Sequence, residues 1–171
     1  SVHTALRAAA VGLVEGLSWQ EILHGLRMGQ TQLRLNTVRT SKGALVLDDT
    51  YNASPESTLA ALNLLADLIG RKIAVLGDML ELGQYEQQGH ELIGVRAAQV
   101  AEILVTVGPL GHMIAEAARK AGLDSGKISE FETAEETVPL LRTLLGNEDV
   151  VLIKGSHGVH MERIVAALED F

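Results

Sequence analysis

Four short strand-like runs, at 44–47, 72–76, 103–107 and 150–153, each give way to a turn and then to a stretch with helical spacing. Apolar runs of this length, bounded by turn signals, read as strands buried on both faces. A further strand is expected at Ile128–Phe131, and helices at about 56–69, 86–100, 110–121, 134–145 and 159–169. Strands alternating with helices specify a parallel, doubly wound sheet with right-handed crossovers. Leu33–Val38 alternates as a strand should, and Ser41-Lys42-Gly43 turns it back into Ala44–Leu47, so an antiparallel hairpin is expected at one edge. With 47% hydrophobic residues and only 3% aromatic, the core must be built from Leu, Val, Ile and Ala. That balance suits helices laid on a parallel sheet. The expected fold is therefore α/β, a Rossmann-like, mostly parallel sheet with flanking helices.

Ahead of the first strand, residues 3–17 carry helical spacing, and Ser18 followed by Glu21 is a capping box that opens a second helix through about Leu26. This helical hairpin, with Trp19 packed in it, is expected to end near Gly29–Gln32, dividing the chain into 1–30 and 31–171. Ser1 already stands inside the helical pattern with no initiator Met, so a piece of a longer protein is expected. The formal charge of -8, with no cluster of Lys and Arg, argues against nucleic acid or an anionic membrane as partner. Absence of cysteine excludes disulfides, thiolate metal sites and a Cys nucleophile. No membrane-length apolar run or signal peptide is visible, and a cytoplasmic monomer is expected.

The strand tips carry the chemistry. Ligands of open α/β sheets bind outside the carboxyl ends of the strands, and the first such tip is Val46–Ser57, VLDDTYNASPES. Asp48 and Asp49 should emerge there on opposite faces, one bracing the backbone and the other facing the ligand, which makes joint chelation of magnesium difficult. Ser54 with Pro55 suits an N-cap followed by proline at the first helical position. The other tips read Gly77-Asp78-Met79, Gly108-Pro109 and Lys154-Gly155-Ser156-His157-Gly158. Any one of them could merely end a strand, but four on one edge favour a cleft, in which Lys154 could hold a carboxylate or phosphate. Asp78, Glu81 and Glu86 are expected to cap or flank a helix start.

A phosphate loop is absent: Gly122–Ile128 is one residue short and has Ile where the hydroxyl belongs, so it reads as a helix C-cap and turn. No G-x-G-x-x-G follows the first strand either, so another domain should hold the phosphates of any nucleotide. His157 and His160, spaced i, i+3, could share a helical face, but zinc needs a third ligand and none is in view. No metal site is expected.

LDDTYNASPES at 47–57, VLGDMLELG at 75–83 and LIKGSHGVHME at 152–162 together resemble the C-terminal part of the Mur ligases. Within them the likeness is to the MurF branch, the UDP-MurNAc-tripeptide–D-Ala-D-Ala ligases; sister ligases typically carry a histidine-containing version of the first motif where this chain has Tyr51-Asn52. The resemblance covers almost the whole chain. It implies three domains, with residues 1 to about 29 as the last helices of the central ATPase and residues from about 32 as the C-terminal Rossmann-like domain. The phosphate loop, the magnesium ligands and a carbamylated lysine would lie in the central domain. It implies ATP with Mg2+ as cofactor, and UDP-MurNAc-tripeptide and D-Ala-D-Ala as substrates. The tripeptide carboxylate takes the γ-phosphate to form an acyl phosphate, which the dipeptide amine attacks.

By the same resemblance Arg34 swings toward the γ-phosphate, Asp49 binds the ribose hydroxyls, and Tyr51 and Asn52 line the nucleotide and the interdomain cleft. Lys154, Gly155 and Ser156 match the segment at the mouth of the amine site, and Arg34 and Lys154 are the implied catalytic residues. Asn52, Ser54, Ser57, Gly77, Asp78 and His157 complete the implied substrate side. The family commonly has arginine after KGS and another basic residue further along, where this chain has His157 and His160. Rival readings are a cyanophycin- or folylpolyglutamate-type ligase, against which Tyr51-Asn52 and GDMLELG argue, and a free-standing small-molecule module. The piece alone should be inactive, because closure against the central domain completes its sites.

Overall fold

The structure, a computed structural model, describes residues 2–28 and 35–169. It divides into two compact units, residues 1–33 and 34–171. The boundary expected near Gly29–Gln32 lies outside the described residues.

In the first unit, α1 (Val2–Val14) and α2 (Trp19–Met28) form the expected hairpin. The capping box is made: the Ser18 N–H donates to Glu21 Oε2 at 2.8 Å, and the Glu21 N–H to Ser18 Oγ at 3.3 Å. A Cβ on Gly12 would lie 2.9 Å from Ile22 Cγ1, so glycine is what lets the two helices touch. Trp19 does not pack in the hairpin as expected but is 55% exposed. The contact line runs through Ala9, Gly12 and Ile22, and two short helices alone cannot also cover an indole.

The second unit is the α/β sheet that the alternation requires. Its strands are β1 (Asn36–Arg39), β2 (Leu45–Asp49), β3 (Arg71–Gly77), β4 (Ile103–Val107), β5 (Ile128–Phe131) and β6 (Asp149–Lys154). The helices between them are α3 (Pro55–Asp67), α4 (Glu86–Val100), α5 (Gly111–Lys120), α6 (Ala134–Leu144) and α7 (Glu162–Glu169). Strand order is β1-β2-β6-β3-β4-β5, with β1 antiparallel to β2 and every other pair parallel.

Strand periodicity sorts the side chains into two cores. Leu47, Ala74, Leu76, Leu104 and Leu152 face one way, onto Leu62 and Leu65 of α3, Ile93 and Ala97 of α4, and Ile114 of α5. Val46, Ile73, Val75, Val105 and Ile153 face the other way, onto Leu141 of α6 and Ile164 and Leu168 of α7. The sheet is thus sandwiched between helices, and its central strands are buried on both faces. β2 runs two residues further than expected, so Asp48 and Asp49 lie inside the strand.

Candidate functional site

Because β6 lies between β2 and β3, the three distinctive tips meet at one edge. Side-chain alternation and register decide what each residue does there. Asp49 and Lys154 are register partners on neighbouring parallel strands. Lys154 Nζ donates to Asp49 Oδ2 at 2.7 Å and to the Asn52 carbonyl at 2.8 Å, with the lysine side chain 1% exposed. The sequence-level expectation that Lys154 holds a ligand anion is thereby corrected: its charge is met inside the protein, where it fixes the β2–α3 turn. Asp48 braces the backbone as expected, its Oδ1 accepting from the Thr50 N–H at 3.2 Å and hydroxyl at 2.8 Å.

The turn then becomes a helix through local capping. The Ser57 N–H donates to Ser54 Oγ at 3.3 Å and the Ser54 N–H to Ser57 Oγ at 3.0 Å, with Pro55 opening α3. Ser54 and Ser57 are thus engaged with one another, and neither lines the pocket described below. Asn52 Oδ1 accepts from the Ala53 N–H at 2.9 Å, which leaves the amide NH2 to face outward ligands.

Asp78 caps a helix start, as its residue type and place suggest, rather than facing the substrate side that the resemblance implies: it turns inward and is 4% exposed. Its Oδ1 accepts from the N–H groups of Leu110 (3.0 Å) and Gly111 (2.8 Å), so it caps α5 across the β4 tip. Burial pushes its carboxyl above the usual aspartate range, against the pull of those two donors. Gly77 and Gly155 serve close approach. A Cβ on Gly77 would lie 3.0 Å from Met161 Sδ, and one on Gly155 2.7 Å from Met161 Cγ and 3.2 Å from Gly77 Cα. Ser156 stitches the two tips together: its N–H donates to the Asp78 carbonyl at 3.0 Å, and its Oγ accepts from the Leu80 N–H at 2.9 Å.

Sequence reasoning missed His90, which is fully buried. Its Nε2 accepts from the Met79 N–H at 3.0 Å and its Nδ1 lies 2.7 Å from the Glu86 carbonyl, an arrangement that needs the proton on Nδ1. Only its i, i+4 spacing from Glu86 hints at this.

A pocket of about 340 Å³ opens where the tips converge. Tyr51 and Asn52 line it from β2, Leu80 and Glu81 from β3, and Ser156 and His157 from β6. The Tyr51 and His157 rings are 6.3 Å apart, and those of His157 and His160 6.1 Å. The two histidines do not share the helical face that their spacing would allow: His160, at φ 57°, ends a short 3-10 turn, and α7 begins only at Glu162. Among the described residues, no three His, Cys, Asp or Glu lie together as a metal site would need. Arg34 lies outside the described residues. Larger concavities lie between α4 and α5, about 700 Å³, and at the amino ends of β2, β3 and β6, about 590 Å³. Neither is at the carboxyl edge where such sheets bind ligands.

The sequence matches the family described as Mur ligase, glutamate ligase domain, over residues 33–157. It is 34% identical, over 98% of its length, to UDP-N-acetylmuramoyl-tripeptide–D-alanyl-D-alanine ligase of Bacillus subtilis (strain 168), and spans 37% of that relative. Its fold superposes on a crystal structure of MurF from Acinetobacter baumannii with a TM-score of 0.71 at 35% identity, covering 98% of this chain and 37% of that one. MurF ligase from Thermotoga maritima in complex with ADP gives a TM-score of 0.68 at 29% identity, covering 94% and 36%. The chain thus spans little more than a third of the length of these relatives.

Proposed function

The chain belongs to the Mur ligase family, and from that premise we propose that it is the C-terminal domain of an ATP-dependent ligase that joins D-Ala-D-Ala to UDP-MurNAc-tripeptide. The observation that carries the reading is the convergence of the DDTYN, GDMLE and KGSH tips on one pocket. Residues 1 to about 30 are the last helices of the central ATPase domain, which is consistent with the many large apolar side chains they expose, among them Leu6, Val11 and Val14. The enzyme acts as a cytoplasmic monomer in the supply of cell-wall precursors. No described helix is long and apolar enough to cross a membrane.

ATP with Mg2+ supplies the activation of the tripeptide carboxylate as an acyl phosphate, and the central domain holds the metal and most of the phosphates. What this chain contributes is positioning and polarity at the edge of the cleft. Asp49 suits a ribose contact, because Lys154 engages Oδ2 while Oδ1 has no hydrogen bond to another described residue. Lys154 acts through Asp49 and the Asn52 carbonyl as a positioning residue. Arg34 would face the γ-phosphate. Asn52, Ser156 and His157 present donors for the carboxylate of the dipeptide, while Gly77, Gly155 and Asp78 hold the tips close enough to form one wall. Ser54 and Ser57 set the start of α3 behind Asn52.

Phosphate release by the full-length protein tests the reading. It should require ATP, UDP-MurNAc-tripeptide and D-Ala-D-Ala together, yield a pentapeptide product by mass, and fail with L-Ala-L-Ala. Phosphate release indifferent to D-Ala-D-Ala would overturn it.

A further inference from the structure

Among the described residues only Glu81 and His160 are non-glycine residues with positive φ, and of the two only Glu81, at φ 65°, lines the pocket. A residue with a Cβ resists this left-handed conformation, and glycine adopts it freely. Two positions on, the same turn uses Gly83 at φ 55°. A long side chain retained at a strained position in a ligand cleft points from geometry to function.

The chemistry around it says which function. The three aspartates at these tips are each committed, Asp48 to Thr50, Asp49 to Lys154, and Asp78 to the start of α5. Glu81 is exposed, makes no hydrogen bond or ion pair to another described residue, and is the one carboxylate in the pocket lining. The other polar groups there are of opposite character: the Asn52 amide NH2, the Ser156 hydroxyl and the His157 ring can all donate. A single carboxylate facing several neutral groups that can donate, in about 340 Å³, complements a small zwitterion, with an ammonium at one end and a carboxylate at the other. It is a poor match for nucleotide phosphates, which a free carboxylate repels.

We infer that Glu81 binds the ammonium group of the incoming amine and so selects a charged amine over its uncharged isostere. The inference rests on the reading above, in which that amine is D-Ala-D-Ala.

The full-length protein tests it with D-Ala-D-Ala as substrate and N-propionyl-D-alanine, the same molecule without its amino group, as competitive inhibitor. E81Q should raise KM for D-Ala-D-Ala about tenfold, the scale of one charge-assisted hydrogen bond. KM for ATP and for the tripeptide, and Ki for N-propionyl-D-alanine, should stay within about twofold. E81G removes the carboxylate and the backbone strain together, so it should show the same KM rise with a melting temperature no lower than wild type. KM unchanged in both variants, or KM and Ki rising in parallel, would overturn the inference while leaving the family reading intact. A wild-type enzyme inert toward D-Ala-D-Ala would overturn both.

Discussion

Lys154 Nζ sits 2.7 Å from Asp49 Oδ2 at paired register positions of two parallel strands, with the lysine side chain 1% exposed and the aspartate 21%. The asymmetry of exposure predicts an asymmetry of cost. D49A leaves a buried ammonium with the Asn52 carbonyl as its remaining partner, and should destabilise the chain by about 3–5 kcal/mol. K154M removes the charge, keeps most of the volume, and leaves an aspartate that still reaches water, so it should cost less. Urea unfolding of the two variants checks the order; a larger loss in K154M would show that the pair is not the lysine's main support.

Two other aspartates give opposite pH signatures. Burial alone would raise Asp149, but the Arg71 side chain, donating from Nε at 2.6 Å and Nη2 at 2.8 Å, and the Gly146 N–H at 2.7 Å hold it below the usual range. A depressed folded value means that its stabilisation is present above the unfolded pKa, near 3.9, and is lost as pH falls through the folded one. The penalty of D149N should therefore be full at pH 7 and shrink below about pH 4. Asp78 is raised, chiefly by burial, so its contribution is fully present below the unfolded pKa and is lost as pH rises through the folded value. D78N keeps an amide oxygen for Leu110 and Gly111 and cannot ionise, so its stability relative to wild type should improve as pH rises from about 3 to about 7. Melting temperatures across that range, compared as variant minus wild type, check both signs.

The fold was legible because its signals are local. Apolar runs such as Ile103–Val107 and the helix that follows Ser54-Pro55 depend on neighbours in sequence, and the structure places both within two residues of expectation. What the residues at the strand tips do was less legible, because their partners are remote. Lys154 meets Asp49 105 residues away, and Asp78 caps a helix 33 residues on, through a register that no single segment encodes. A lysine after a strand therefore looks like a ligand contact until the neighbouring strand is in place, and an aspartate there suggests a helix cap without showing which helix it caps. Asp48 and Asp49 blurred the end of β2 for a related reason: polar residues in a strand end the apolar pattern before the ladder ends. Of the pocket residues that were found, Tyr51, Asn52 and His157 stand exposed at turns, whereas Ser156 is buried and is held there by Asp78 and Leu80, some 76 residues back in the chain.

Close helix packing yields a prediction independent of the pocket. A Cβ on Gly94 of α4 would stand 2.3 Å from the Ile114 carbonyl and 2.7 Å from Ala117 Cβ of α5. Backbone cannot yield as a side chain can. G94A gains helix propensity of about 1 kcal/mol, yet should be destabilising overall by about 1–3 kcal/mol through overpacking. A urea midpoint at or above wild type would mean that α4 and α5 separate more readily than their contact implies.

His157 carries the last prediction, because it stands where the family commonly has arginine. Its ring is exposed at the pocket, 6.3 Å from Tyr51, and no buried partner holds it in place among the described residues. On the proposed function, with His157 receiving the carboxylate of D-Ala-D-Ala, H157A should raise KM for that dipeptide about tenfold in the full-length protein, the loss of one hydrogen bond to a charged group. The turnover number should change little, since a contact to the non-reacting end serves ground state and transition state alike. H157R should restore or lower KM, because guanidinium is always charged and can grip a carboxylate with two donors. A fall in turnover with KM unchanged in H157A would instead place the imidazole at the reacting amine.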